Sequence, residues 1–255
     1  MKKIFLIAIA ILTTISMSFA QEGKSKKNNW NYNSGWGGKR VEGTGPVVTE
    51  DRSVSGFTGV TSGISADVTV KQASSFKVTI SGQKNILDLL KTDVVNGKLK
   101  ITFEKGYSMN YREPLKVMVE APNFDYIGMS GSGNVNTEGM LSGNKLTIDI
   151  SGSGNFNLSN VKYSDVDFGI SGSGDVRVGG SANAVKFDVS GSGNIRASDL
   201  KSQSASCHVS GSGDITCSAE KSLEAHVSGS GDIKYVGSPS IKSRVTGSGD
   251  IKPMR

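Results

Sequence analysis

A four-residue motif recurs seven times in the second half of this chain and limits what it can fold into. Ser-Gly-Ser-Gly starts at Ser130, Ser151, Ser171, Ser190, Ser210 and Ser228, and a Thr-Gly-Ser-Gly variant starts at Thr246. Successive starts lie 21, 20, 19, 20, 18 and 18 residues apart, and each motif is followed by Asn or Asp. A fixed period near twenty residues is the mark of a solenoid, in which each repeat is one coil stacked on the last. Fourteen of the 33 glycines sit in these seven corners, so the glycine excess over the usual share of about 7% is architectural and not a sign of disorder.

Apolar residues alternate with polar ones on both sides of every corner. One residue before it lie Met129, Ile150, Ile170, Val189, Val209, Val227 and Val245. Three before lie Ile127, Ile148, Phe168, Phe187, Cys207, Ala225 and, breaking the rule, Ser243. Five after its first residue come Val135, Phe156, Val176, Ile195, Ile215, Ile233 and Ile251. A period of two means short strands with the apolar side inward, and Val161 and Leu200 suit a third inward segment. The expected fold is therefore all-β: a single-stranded, right-handed parallel β-helix, three-sided, with about 18–21 residues per coil. Equivalent positions stack about 4.8 Å apart. Glycine at alternate corner places is expected to allow unusual backbone angles and close approach between coils. The Asn or Asp that follows forms a polar ladder: Asn134, Asn155, Asp175, Asn194, Asp214, Asp232, Asp250.

Upstream of the repeats the chain divides further. Lys2 and Lys3, the apolar run Ile4–Ile15 and Ser18-Phe19-Ala20 read as a secretory signal peptide over residues 1–20, too short for a membrane span. Residues 21–45 read as a flexible polar and aromatic leader. Residues 46–122 read as a β lobe with a hairpin turn at Asn96-Gly97 and a short helix from Asn85, that residue being the expected cap. Residues 123–255 carry the regular coils. The chain's formal charge is +6, and two of those charges leave with the signal, a mildly basic balance that does not point to nucleic acid. No other apolar stretch is long enough to span a membrane, and no cysteine follows the predicted cleavage point to take a lipid.

Residues Arg52-Ser-Val-Ser-Gly-Phe-Thr-Gly-Val60, Asp67-Val-Thr-Val-Lys-Gln72 and Asn85-Ile-Leu-Asp-Leu-Leu90, with the recurring Val-Ser-Gly-Ser-Gly-Asp-Ile, resemble the bacterial "putative autotransporter adhesin, head GIN domain" family. The resemblance covers roughly residues 52–252. It implies an exported β-helical protein of the cell envelope and brings no catalytic residues. The sequence reaches Arg255 inside the last coil without a translocator barrel, so self-export is not expected.

Several outward constellations are candidate sites. Arg177, Arg196, Lys234 and Lys252 share the place six after the corner, a basic stripe suited to anionic groups of envelope or extracellular glycans or surface proteins, or simply a soluble face that blunts aggregation. Asp188, His208 and His226 would stack in one column and are the candidate metal ligands, against an ordinary solvent face. Gly-Ser-Gly-Asp-Ile resembles a calcium-binding roll, but at twice its nine-residue period. Asp149, Asp167 and Asp188 are the candidate acids of a polysaccharide-active β-helix enzyme, although they do not share one column. Cys207 and Cys217 point inward on the strands flanking one corner, either as a disulfide of an exported chain or as two small core residues. The reading that fits best is a non-catalytic adhesin-like or glycan-binding module without cofactors. Its rivals are the polysaccharide-active enzyme and a structural envelope scaffold. The polar last coil, with Ser243, Lys252 and Pro253, is expected to keep the protein monomeric.

Overall fold

The computed structural model describes residues 38–254, so the signal peptide and residues 21–37 of the leader lie outside the described residues. The chain forms a parallel β-solenoid whose seven corners are joined by about six turns. Each layer carries one strand segment before the corner and another after it. The segments pair in register with their counterparts one coil on: Ile127 with Ile148, Ile148 with Phe168, Phe168 with Phe187, Phe187 with Cys207. Burial follows the alternation read from the sequence. Ile150, Ile170, Val189, Val209 and Val227 are buried before the corner, and Phe156, Val176, Ile195, Ile215 and Ile233 after it. Val161 and Leu200 are buried on the third side. The pattern ends at the last coil, where Ile241 and Val245 are 43% and 45% exposed because no further coil covers them among the described residues.

The corners show why glycine is required. A Cβ on Gly152, Gly172, Gly191 or Gly211 would lie 2.0–2.1 Å from the carbonyl oxygen of the equivalent corner glycine one coil earlier. The second glycine of the corner is as tightly placed, with 1.9–2.1 Å at Gly174, Gly193, Gly213 and Gly231. Space, not backbone angle, is the demand: of the corner glycines only Gly247 has a positive φ, at 144°. The expectation of unusual angles at the corners is thus corrected, and that of close approach holds. The approach also satisfies the backbone, since Ser173, Ser192, Ser212 and Ser230 donate their N–H to the glycine carbonyls of the coil before, at 3.0–3.1 Å.

Chain order and stacking order differ at the N-terminal end. Gly59–Ser62 and Asp67–Gln72 form a full layer directly beneath Tyr126–Met129 and Asn134–Glu138. The layer outside it is built by later residues, Lys98–Phe103 and Lys116–Ala121. Antiparallel strands then close this end: Lys77–Gln83 lies on Lys116–Ala121, Val47–Arg52 on Lys77–Gln83, and Leu90–Val95 on Lys98–Phe103. The last pair is the expected hairpin, with Asn96 and Gly97 both at positive φ (51° and 71°) as a two-residue primed turn requires.

Two local expectations differ from the structure. The helix is four residues, Lys84–Leu87, and Gln83 rather than Asn85 precedes it, without a side-chain cap. The Asn85 carboxamide instead donates to the Glu42 carbonyl and accepts from the Thr44 N–H, which ties down the incoming chain. Residues 39–42, placed in the leader from the sequence, form a parallel strand on Tyr107–Asn110.

The close corner contact predicts the effect of a single methyl group. Gly193→Ala puts its Cβ 2.1 Å from a backbone oxygen that cannot swing away. It is expected to lower stability by about 1–3 kcal/mol or to prevent folding. Gly63→Ala meets its nearest neighbour at 3.4 Å and should be near neutral in the same thermal melts. Equal effects of the two would contradict the stacking argument.

Candidate functional site

The Asn and Asp residues after the corners form a directed ladder. Asn155, Asp175, Asn194, Asp214 and Asp232 each accept, through Oδ1, the main-chain N–H of the equivalent residue one coil later, at 2.7–3.2 Å. Any Asn or Asp serves this bond, so the choice between them is free to set charge. At Asp175, Asp232 and Asp250 a neighbouring cation reaches the second oxygen. Arg196 donates to Asp175 at 3.0 Å, and Lys252 lies 3.1 Å from Asp250 and 3.7 Å from Asp232. Lys234 lies 3.8 Å from Asp232.

The basic stripe is therefore not uniform. Arg196 and Lys252 are compensated by the ladder and Lys234 lies within reach of the half-buried Asp232, whereas Arg177 has Asn155, not Asp, in the coil beneath it. Its nearest carboxylate is Asp199 at 3.9 Å, between side chains more than 70% exposed. Below Arg177 its column continues through Asn157, Asn136 and Thr69, a run that sequence reasoning missed. The signal was present: Asn136 and Asn157 occupy the same place six after the corner as the four cations. These side chains line an open groove of about 880 Å³, with Lys116 and Asp67 at one end and Arg196 at the other. The Asn136 and Asn157 carboxamides make no hydrogen bond to another described residue, while those of Asn134 and Asn155 are held within the ladder.

The other candidates fall differently. Register brings Asp188, His208 and His226 into one column as expected. Their geometry does not make a metal centre: the two imidazoles stack face to face, centroids 4.9 Å apart and 3° from parallel, which keeps their nitrogens from converging on a point. Asp188 is taken by Lys186 at 2.7 Å. No group of three or more His, Cys, Asp or Glu among the described residues is disposed to hold a metal ion. Of the acids considered for catalysis, Asp149 and Asp188 are separated by the coil carrying Gly169, and Asp167 is bound by Lys145 at 2.7 Å. The three do not meet.

Cys207 and Cys217 are both buried and free, with their sulfurs 3.6 Å apart. The hydrogen bond to Cys217, then burial, push the Cys207 thiol well above its ordinary pKa. The Asp175 carboxyl moves the other way. Burial opposes its ionisation, but hydrogen bonds from the Asn194 side chain, Arg196 and the Asn194 N–H outweigh that and hold it below the usual value.

With the geometry in place, comparison with known proteins is decisive about kinship. Residues 56–239 match the family described as "Putative auto-transporter adhesin, head GIN domain". The chain belongs to this head GIN domain family. Among solved structures, a "putative adhesin" from Bacteroides fragilis is 28% identical, with a TM-score of 0.81 over 84% of this chain and 100% of that one. A "putative lipid binding protein" from Parabacteroides distasonis is 27% identical, with a TM-score of 0.71 over 85% and 100%. A second Parabacteroides distasonis protein, a "putative adhesin", is 22% identical with a TM-score of 0.70 over 85% and 100%, which shows the shared head GIN fold alone. No curated protein matches this chain.

Two measurements check the site chemistry. Asp175→Asn keeps the ladder acceptor and removes the charge. Because the folded pKa of Asp175 is lowered, its stabilisation is full above the unfolded value of about 3.9 and is lost as pH falls through the folded one. The variant should melt lower than the wild type at neutral pH and converge with it in acid; a gap that persists in acid would contradict this. The buried thiols should resist alkylation in the folded protein and react on denaturation with reductant. Denatured, unreduced protein that stays unreactive would show the Cys207–Cys217 disulfide, and rapid reaction in the folded state would contradict the burial.

Proposed function

We propose that this protein is a non-catalytic, exported cell-envelope module that binds glycans or other surface groups through a rigid solenoid face. The observation that carries the reading is the long outward column in which side chains repeat at strand spacing and carry polar groups without internal partners. A sheet presents such groups preorganised, so little entropy is lost when they bind. Membership of an adhesin-named family and likeness to an adhesin-named structure support the same direction. The signal-like residues 1–20 support export, and no helix among the described residues is long and apolar enough to cross a membrane. The acids that a polysaccharide-active enzyme would need are dispersed, and two of the three, Asp167 and Asp188, are paired with lysines.

A glycan array run beside lyase and hydrolase assays tests the reading, with liposomes as a parallel arm because one neighbour is named for lipid binding. The expected result is retention of a glycan without turnover. Turnover of an acidic polysaccharide that disappears in Asp149→Ala or Asp188→Ala would overturn it, as would binding to liposomes alone.

A further inference from the structure

We infer that the groove along Thr69, Asn136, Asn157 and Arg177 is a binding site for a carboxylate-bearing saccharide, one sugar unit of which sets its acid on Arg177. This rests on the glycan-binding reading above and gives it a place and a ligand class.

Register stacks Thr69, Asn136, Asn157, Arg177 and Arg196 in successive coils, so their side chains project in a row with about 4.8 Å between neighbours. The row runs along the solenoid axis, a direction that suits a chain molecule lying across the coils. A carboxamide presents two donors and one acceptor oxygen, which matches hydroxyl groups that both donate and accept. The Asn136 and Asn157 carboxamides are free to do so, and the ladder fixes the backbone that carries them. Above them Arg177 offers a planar fork of donors suited to a carboxylate, opposed only by Asp199 at 3.9 Å. An exposed ion pair at that distance contributes little and does not withdraw the guanidinium from a ligand.

The same lining discriminates among anions. Asp67, Asp175 and the amide oxygens put acceptors around the groove. A sulfate would face these acceptors without a proton to give them, and a phosphate, with one or two protons and up to two charges close to Asp67 and Asp175, would leave most of its oxygens facing them. A ligand that carries hydroxyls beside a single carboxylate satisfies both kinds of group. The aromatic ring in the lining, Phe156, is 1% exposed and faces the core, so recognition here proceeds through hydrogen bonds and charge and not through ring stacking.

The test is calorimetric binding of the full mature chain to polygalacturonate, its methyl ester and inorganic phosphate. Polygalacturonate should bind with a salt-sensitive affinity, while the methyl ester binds much more weakly and phosphate neither binds nor displaces. Arg177→Ala and Asn157→Ala should each weaken binding by about tenfold, with partial retention in Arg177→Lys. Lys242→Ala, whose residue lies far from the groove and is bridged to Glu224, should be without effect. All these side chains are exposed, and thermal melts check that the variants remain folded. Equal affinity for the methyl ester, or an unchanged affinity in the Asn157→Ala, Arg177→Ala double variant, overturns this site and leaves the glycan-binding reading standing. Failure of the wild type to bind any glycan overturns both.

Discussion

From Gly152 on, each first corner glycine lies against the carbonyl oxygen of its counterpart one coil earlier, leaving no room for a side-chain carbon. This contact fixes the distance between coils at the point where the chain bends. The strands on either side are then held in register, because a slip would move a Ser or Asx side chain over a backbone oxygen. Register in turn makes the apolar columns continuous, so Phe156, Phe168 and Phe187 meet within one core. Phe168 and Phe187 show the result directly, stacked with centroids 5.2 Å apart. Each coil touches only its neighbours, so alignment is set contact by contact along the stack.

The same stacking leaves one place per coil where the next main-chain N–H is met by a side chain. The Asx ladder fills it, and either Asn or Asp suffices for the hydrogen bond. Architecture and surface charge are thereby uncoupled: a change from Asp to Asn preserves the fold and releases a cation in the coil above. Asn155 does this for Arg177, whereas Asp175 holds Arg196. A surface that looks like a continuous basic stripe is in fact largely neutralised, with one guanidinium left open beside two unpaired carboxamides.

Much of this was legible in the residues. Period two on both sides of a repeated corner gave the inward columns down to Cys207 and Cys217, and Asn96-Gly97 marked its hairpin. The Gly59–Gln72 coil was hidden because its corner, Gly63-Ile64-Ser65-Ala66, lacks the motif. The structure shows why it can: the layer beneath loops away between Phe103 and Lys116, and the nearest atom to a Cβ at Gly63 is 3.4 Å off. Glycine is needed only where an earlier corner lies underneath. The order of the first layers was hidden as well, since Lys98–Ala121 stacks outside residues that precede it, a long-range choice with no local signature. The pairing of the basic stripe depended on which ladder oxygen each cation reaches, a matter of geometry that spacing does not reveal.

The corners are backbone-stacked elements of the sheet and not surface loops. Residue-resolved amide hydrogen exchange tests it most directly. The N–H groups of Ser173, Ser192 and Ser212, and the ladder amides of Asp175, Asn194 and Asp214, should exchange as slowly as those of the buried strands beside them. Exchange at these amides as fast as at the exposed hairpin turn of Asn96 and Gly97 would contradict it.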